Sequence, residues 1–448
     1  MTIVLLLALL AGPQDNTSDA SVSRASKLAA GGRVPSPDEI RVYDFINFHR
    51  HDLPEPGRDG AVALDVRLLR AALPDGAADA AIQIGLRTAR PDRRTRPINL
   101  TLVLDKSGSM SGDNKMGFLR DALELLVANL TEDDVLAIVV FDGDARVLRA
   151  AAPAGDAKAL RALIRSIQPG GGTNLHGGLM LGYEQALKHL DPKRANKVVL
   201  LSDGQATAGE KDPEKIVADS NEFHARGIDL STVGVGIDYN DSLMNQLAQA
   251  GRGTYHFLDS GDGIRRVFEK ELISLLEKVG RSPVVRIELA RGVTFKALHG
   301  YAIEHADERT IVVKLLDLPL ALTQVIPLEV AVAAEADRGA PLAKVRLDYV
   351  DEKSGKPARV EREARAGRLD GAKEAAADAG VMKNFAIARL AAALREACSK
   401  AQRNERPAAK ALLGDAVRET EALFGADTKD EDILKVLAIA RGLLGALG

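Results

Sequence analysis

INLTLVLDKSGSM, residues 98–110, is a near-continuous apolar run that breaks into a short loop of acidic and hydroxyl residues. Such a run suits a strand covered on both faces in a parallel sheet. Beyond the loop, Leu119, Leu123, Leu126, Val127 and Leu130 recur at helical spacing between Lys115 and Leu130, so the segment reads strand, loop, helix. The pattern then repeats. VLAIVVF (135–141) reads as a strand, ARVLRA (145–150) as its antiparallel companion and AKALRALIRSI as a helix. The loop Gly170-Gly171-Gly172-Thr173-Asn174 leads into the helix LHGGLMLGYEQALKHL, the strand KVVLLS and the loop Asp203-Gly204-Gln205. Helix PEKIVADSNEFHARG, strand DLSTVGVG, helix DSLMNQLAQAG, strand GTYHFL and a closing helix over 262–279 complete the run. Strands alternating with helices in this way predict an α/β fold, a doubly wound and mostly parallel sheet over 98–280.

Ligands of such sheets sit beyond the carboxyl ends of the strands. Asp105, Ser107 and Ser109 leave the first strand, Asp203 leaves KVVLLS, and Thr173 lies in the glycine-rich loop before the helix that feeds that strand. These are small oxygen donors, with no Cys or His among them, and that set suits a hard cation such as Mg²⁺. Two carboxylates neutralise a divalent ion only formally and hydroxyls donate weakly. The ion would keep Lewis acidity and an open position for a carboxylate from outside.

DKSGSM after a buried strand, GGGTN before a helix and LSDGQ at a strand end resemble, in that order, the metal-ion-dependent adhesion site of von Willebrand factor type A domains. The family pattern is Asp-x-Ser-x-Ser, then Thr, then Asp, and all five positions are filled. The resemblance implies a Rossmann-like fold in which Ser107, Ser109 and Thr173 reach the metal directly or through water. It makes Asp105 and Asp203 charge-bearing ligands acting partly through water. It also implies Mg²⁺ as the ion, with Mn²⁺ or Ca²⁺ as alternatives, and a protein partner offering an acidic side chain. Over residues 38–365 the layout is similar to bacterial exported proteins with a central domain of this type and to inter-alpha-trypsin inhibitor heavy chains.

The flanks read differently. Residues 1–12 contain an apolar run from Ile3 to Ala11, about half of what spans a bilayer, and read as a signal peptide lacking a basic start. Export to the periplasm or beyond is expected, with a cytoplasmic location if that leader is not a signal. Residues 13–37, rich in Ser, Asp, Ala, Gly and Pro, read as a flexible linker. Residues 38–97 read as a β-containing region, because AVALDVRLL and AAIQIGLRT alternate as strands do; His49 and His51 within it read as solvated surface. From 281 to 366 short alternating strands form an all-β unit, and 367–448 reads as a helical tail with runs at 380–400, 406–424 and 429–446. The strands near 61–69 and 80–88 are too few for a sheet of their own. They are expected to join 282–365 in one sandwich with the metal domain inserted.

The 448 residues carry 60 Lys and Arg against 63 Asp and Glu. A net charge of -3 offers no global attraction for nucleic acid or an anionic membrane. One cysteine, Cys398, excludes an intramolecular disulfide and Cys-built metal cages, and it reads as a small core residue. No nucleophile motif stands in a strand-loop-helix context, and Asp142 and Asp144 in FDGD read as turn residues. The sequence therefore points to a metal-dependent binding module and not to an enzyme. A metal-dependent hydrolase and a scaffold with a non-functional site are the alternatives.

Overall fold

The computed structural model describes residues 20–57, 60–89, 96–112, 114–203, 205–236, 239–258, 278–337, 339–369, 375–425 and 427–448. The leader and most of the expected helix over 262–279 lie outside them. Two compact units form: one from Met1–Ala89, Lys278–Leu318 and Leu322–Gly448, the other from Arg90–Glu277 with Pro319–Ala321.

The described part of the first unit opens with helices α1 (Ala20–Ala30) and α2 (Val42–Asn47) and strands β1 (Val62–Leu68) and β2 (Ala78–Thr88). Two expectations are corrected here. Residues 20–30, read as flexible linker, are helical, because Val22, Ala25 and Ala29 fall on one face and are buried in a helical cluster. The small residues that made the segment look like a linker are what let α1 pack closely: a side chain at Gly442 would come within 3.0 Å of Ala29 Cβ. His51, read as surface, is 4% exposed. Its Nε2 lies 3.1 Å from Asn47 Oδ1, and His49 Nε2 lies 3.1 Å from Asn384 Oδ1.

In the second unit the order is β3 (Ile98–Asp105), α3 (Lys115–Val127), β4 (Val135–Phe141), β5 (Ala145–Pro153), α4 (Ala157–Arg165) and α5 (Leu175–Leu187). There follow β6 (Ala195–Ser202), α6 (Pro213–Ala225), β7 (Asp229–Val235), α7 (Asp241–Ala250) and β8 (Arg252–Leu258). The sheet runs β5-β4-β3-β6-β7-β8, parallel except for β5. Every residue of β3, β4 and β6 is buried, as helices on both faces require. Strand order reverses between β3 and β6, so the loops leaving these two neighbours open a crevice at the switch point. Helix α5 lies close against the sheet: a Cβ on Gly182 would stand 2.3 Å from Val103 Cγ2, and one on Gly178 2.5 Å from the Phe141 ring.

The first unit resumes with β9 (Lys278–Leu289), β10 (Val293–Leu298), β11 (Thr310–Lys314), β12 (Thr323–Val332), β13 (Ala343–Asp351) and β14 (Pro357–Ala364). Helices α8 (Ala379–Gln402), α9 (Arg406–Phe424) and α10 (Glu431–Ala446) close the chain. Lys278 and Val279, expected to end a helix, instead begin β9. Pro283, expected to stop that helix, sits inside the strand at a register shift between Arg281 and Val284, a place where a missing ladder N–H is tolerated.

One antiparallel sheet is ordered β1-β2-β12-β10; in the other, β11-β9-β13-β14 are neighbours. Strand β2 pairs with β12 from Thr323↔Arg87 to Val332↔Ala78. Side chains of both sheets share one core, Ile82, Ile84 and Leu86 meeting Val285, Ile287 and Leu347. Helices α1, α2, α8, α9 and α10 form a second core with Val325 of β12, so β12 contributes side chains to both cores. Cys398 is buried there. Among the described residues no helix is long and apolar enough to cross a membrane.

Candidate metal centre

Strand β3 ends at Asp105, whose side chain is buried at the centre of the sheet. Its Oδ1 accepts the Ser107 backbone N–H at 2.8 Å and its Oδ2 accepts the Ser202 hydroxyl at 2.5 Å. The first bond folds the chain back at once and aims Ser107 and Ser109 along one side of the loop. Their hydroxyl oxygens lie 3.0 Å apart. Ser109 Oγ donates to Asp203 Oδ1 at 2.8 Å, and the other oxygen of Asp203 accepts Lys115 Nζ at 2.6 Å. Asp203 follows β6 directly, so adjacent strands deliver the two carboxylates to one place. Burial pushes the Asp105 carboxyl above its ordinary range and the nearby Asp203 adds to this, against hydrogen bonds from Ser107 and Ser202.

The glycine-rich loop is laced to the serine loop through backbone. Gly108 N–H donates to Gly171 O at 3.0 Å and Gly170 N–H to Lys106 O at 2.7 Å. Gly171 has φ +85, a left-handed value that favours glycine, and a Cβ there would press on Asp142. Thr173 is buried; its N–H donates to Thr207 Oγ1 at 2.9 Å and its carbonyl accepts from Thr207 N at 3.0 Å. Asp105, Ser107, Ser109 and Asp203 thus form one hydrogen-bonded set. Thr173 makes no hydrogen bond to these four and is held beside them by its loop. Asp142 pairs with Lys106, a hydrogen bond that, with those of its own turn, holds its carboxyl below the usual range.

Three residues escaped the sequence reading: Ser202 and Thr207, which buttress Asp105 and Thr173, and Lys115. The one available signal was Lys115 itself, a cation at the first position of a helix, where the dipole disfavours it.

Among the described residues no three His, Cys, Asp or Glu side chains gather as a metal cluster, so a cation here must rely on hydroxyl oxygen. The spacing fits that demand: neighbouring oxygens in a Mg²⁺ octahedron of about 2.1 Å radius lie about 3.0 Å apart, the separation of the two serine hydroxyls. Each aspartate oxygen already accepts one bond from the chain and keeps a second lone pair for a metal-bound water.

The family model described as the von Willebrand factor type A domain matches residues 98–257. The chain carries a von Willebrand factor type A domain. A solved structure titled as a von Willebrand factor type A protein from Catenulispora acidiphila shares the fold, with TM-score 0.55, 15% identity, and coverage of 88% of this chain and 98% of that one. Among curated proteins, the uncharacterized protein YfbK of Escherichia coli is 29% identical over 277 residues, 60% of this chain and 48% of YfbK. Inter-alpha-trypsin inhibitor heavy chain H3 of Rattus norvegicus is 31% identical over 207 residues, 43% of this chain and 22% of the heavy chain. This chain therefore spans about half the length of its bacterial relative and about a fifth of the heavy chain.

Proposed function

We propose that the type A domain is a divalent-metal-dependent protein-binding module. Ser107, Ser109 and Thr173 would hold a Mg²⁺-type ion through their hydroxyls, with Asp105 and Asp203 supplying charge largely through metal-bound water. The ion, when bound, offers a Lewis-acidic position that a carboxylate from a protein partner can fill. The observation that carries the reading is the pair of serine hydroxyls 3.0 Å apart at the switch point, backed by two buried carboxylates already fixed by chain donors. The apolar run Ile3 to Ala11 of the leader supports placing this binding outside the cytoplasm, as an adhesion or assembly function. The hydrolase alternative gains no support, because Asp142, the nearest further carboxylate considered for a general base, is engaged by Lys106 and its own turn.

A ligand that binds only the folded state raises apparent stability by mass action. Mg²⁺ or Mn²⁺ should therefore raise the melting temperature of the full chain, chelator should reverse the gain, and Ser107→Ala should abolish it. An aspartate-containing peptide should then bind only in the presence of metal. A melting temperature indifferent to Mg²⁺, Mn²⁺ and chelator, together with a flat calorimetric titration, would sink the reading.

A further inference from the structure

Lys115 is 8% exposed, and its ammonium reaches Asp203, whose side chain is 0% exposed. Lysines are almost never buried without a partner. This one also opens α3, so its charge opposes the helix dipole, and helix formation does not explain it. The surroundings are shaped to admit it. Asn114, just before it, takes the left-handed conformation at φ 57, which costs energy for a residue with a side chain. Gly236, at φ +81 in the loop after β7, lies under the lysine stem, where a Cβ would come within 2.8 Å of Lys115 Cε. The lysine of the serine loop, Lys106, is engaged by Asp142. Lys115 is therefore the cation committed to the carboxylate pair.

Resting on the metal-dependent reading above, we infer that Lys115 is a resident cation of the metal centre that sets its net charge. With two ionised carboxylates and Lys115 the site carries one net negative charge, and a divalent ion brings it to one net positive charge. Without the lysine the loaded site would be neutral. Lys115 thus lowers metal affinity and in return leaves the loaded site positive, which favours an anionic ligand over a neutral one. It also partners Asp203 when no metal is present, so the Ser109–Asp203 arrangement persists in the metal-free protein. Lys115 acts through charge and positioning, and Asp203 is the group it holds.

The test is calorimetric titration of the full chain with Mg²⁺ alone, then of the Mg²⁺-loaded protein with acetate, comparing wild type, Lys115→Met and Lys115→Arg. Removal of the charge should tighten Mg²⁺ by about tenfold or more, weaken acetate at the loaded site by a similar factor, and lower the melting temperature in chelator. Lys115→Arg should stay near wild type in all three. If Lys115→Met does not fold, Lys115→Gln, whose amide can still donate to Asp203, carries the comparison. Unchanged Mg²⁺ affinity in Lys115→Met beside lost binding in Ser107→Ala overturns the inference and leaves the metal reading standing. Absence of Mg²⁺ binding in every form overturns both.

Discussion

Asp105 is held in a way that separates its structural duty from its charge. Both oxygens accept hydrogen bonds, yet burial pushes its pKa up, so ionisation itself costs stability in the metal-free protein. A carboxyl whose folded pKa lies above the unfolded one binds more protons in the folded state, and stability is lost as pH rises through that window. In chelator at pH 7, Asp105→Asn should therefore match or exceed the wild-type melting temperature while losing any Mg²⁺-induced gain. Asp105→Ala strands the Ser107 N–H and should cost about 1–3 kcal/mol. Scanning calorimetry of both variants checks this, and an Asn variant melting several degrees below wild type in chelator would refute the desolvation account. Asp105, Ser107, Ser109, Thr173 and Asp203 were legible in sequence because each follows a strand or precedes a helix whose period is strong. Lys115 was not, since a lysine at a helix start is ordinarily solvated and only tertiary contact shows it buried.

Helix α5 depends on what it lacks. Gly178 and Gly182 face Phe141 and Val103 at distances no Cβ could keep, which brings the helix, and the Thr173 loop that feeds it, close to the sheet. Gly182→Ala would add a methyl where there is no room, although alanine is the better helix former by about 1 kcal/mol. Overpacking typically costs about 1–3 kcal/mol, so the variant should unfold at lower denaturant than wild type with an unchanged slope. An increase in midpoint would show that propensity outweighs the clash. The strands and helices between 98 and 258 were readable because their apolar runs are long and separated by polar loops. Helix α1 was hidden by its composition: Ala and Ser make a good close-packing face and an equally good imitation of a linker. Only the start of strand β9, ahead of Val284, was obscured by Ser282-Pro283, since a proline mid-strand reads as a stop until the register shift that tolerates it is seen.

At the scale of the whole molecule, each unit keeps buried neutral histidines. Burial, with His49 and Lys383 adding, pushes His51 well below its ordinary value, and burial also lowers His49; in the other unit burial, with Lys197, brings His256 to about 4. A histidine with a depressed folded pKa takes up its proton only on unfolding, so its contribution is full above about pH 6.5 and lost as pH falls below it. His256 should add up to about 1.4 kcal/mol of lost stability per pH unit between pH 6 and 4, and His51 a loss of the same sign. Urea unfolding across that range should show His51→Gln with a shallower slope than wild type; parallel slopes would mean that His51 protonates in the folded state. The interrupted connectivity of the first unit has a further consequence, for synthesis. Strand β2 finds its partner β12 about 240 residues later, and closing a loop of that length costs about 5 kcal/mol of chain entropy. At about 5–20 residues per second on the ribosome, β1 and β2 emerge and then wait between about 12 and 50 seconds for the strand that completes their sheet. A lone hairpin is marginal in water, so the nascent chain, with Ile82, Ile84 and Leu86 uncovered, is the form most open to chaperone capture or aggregation.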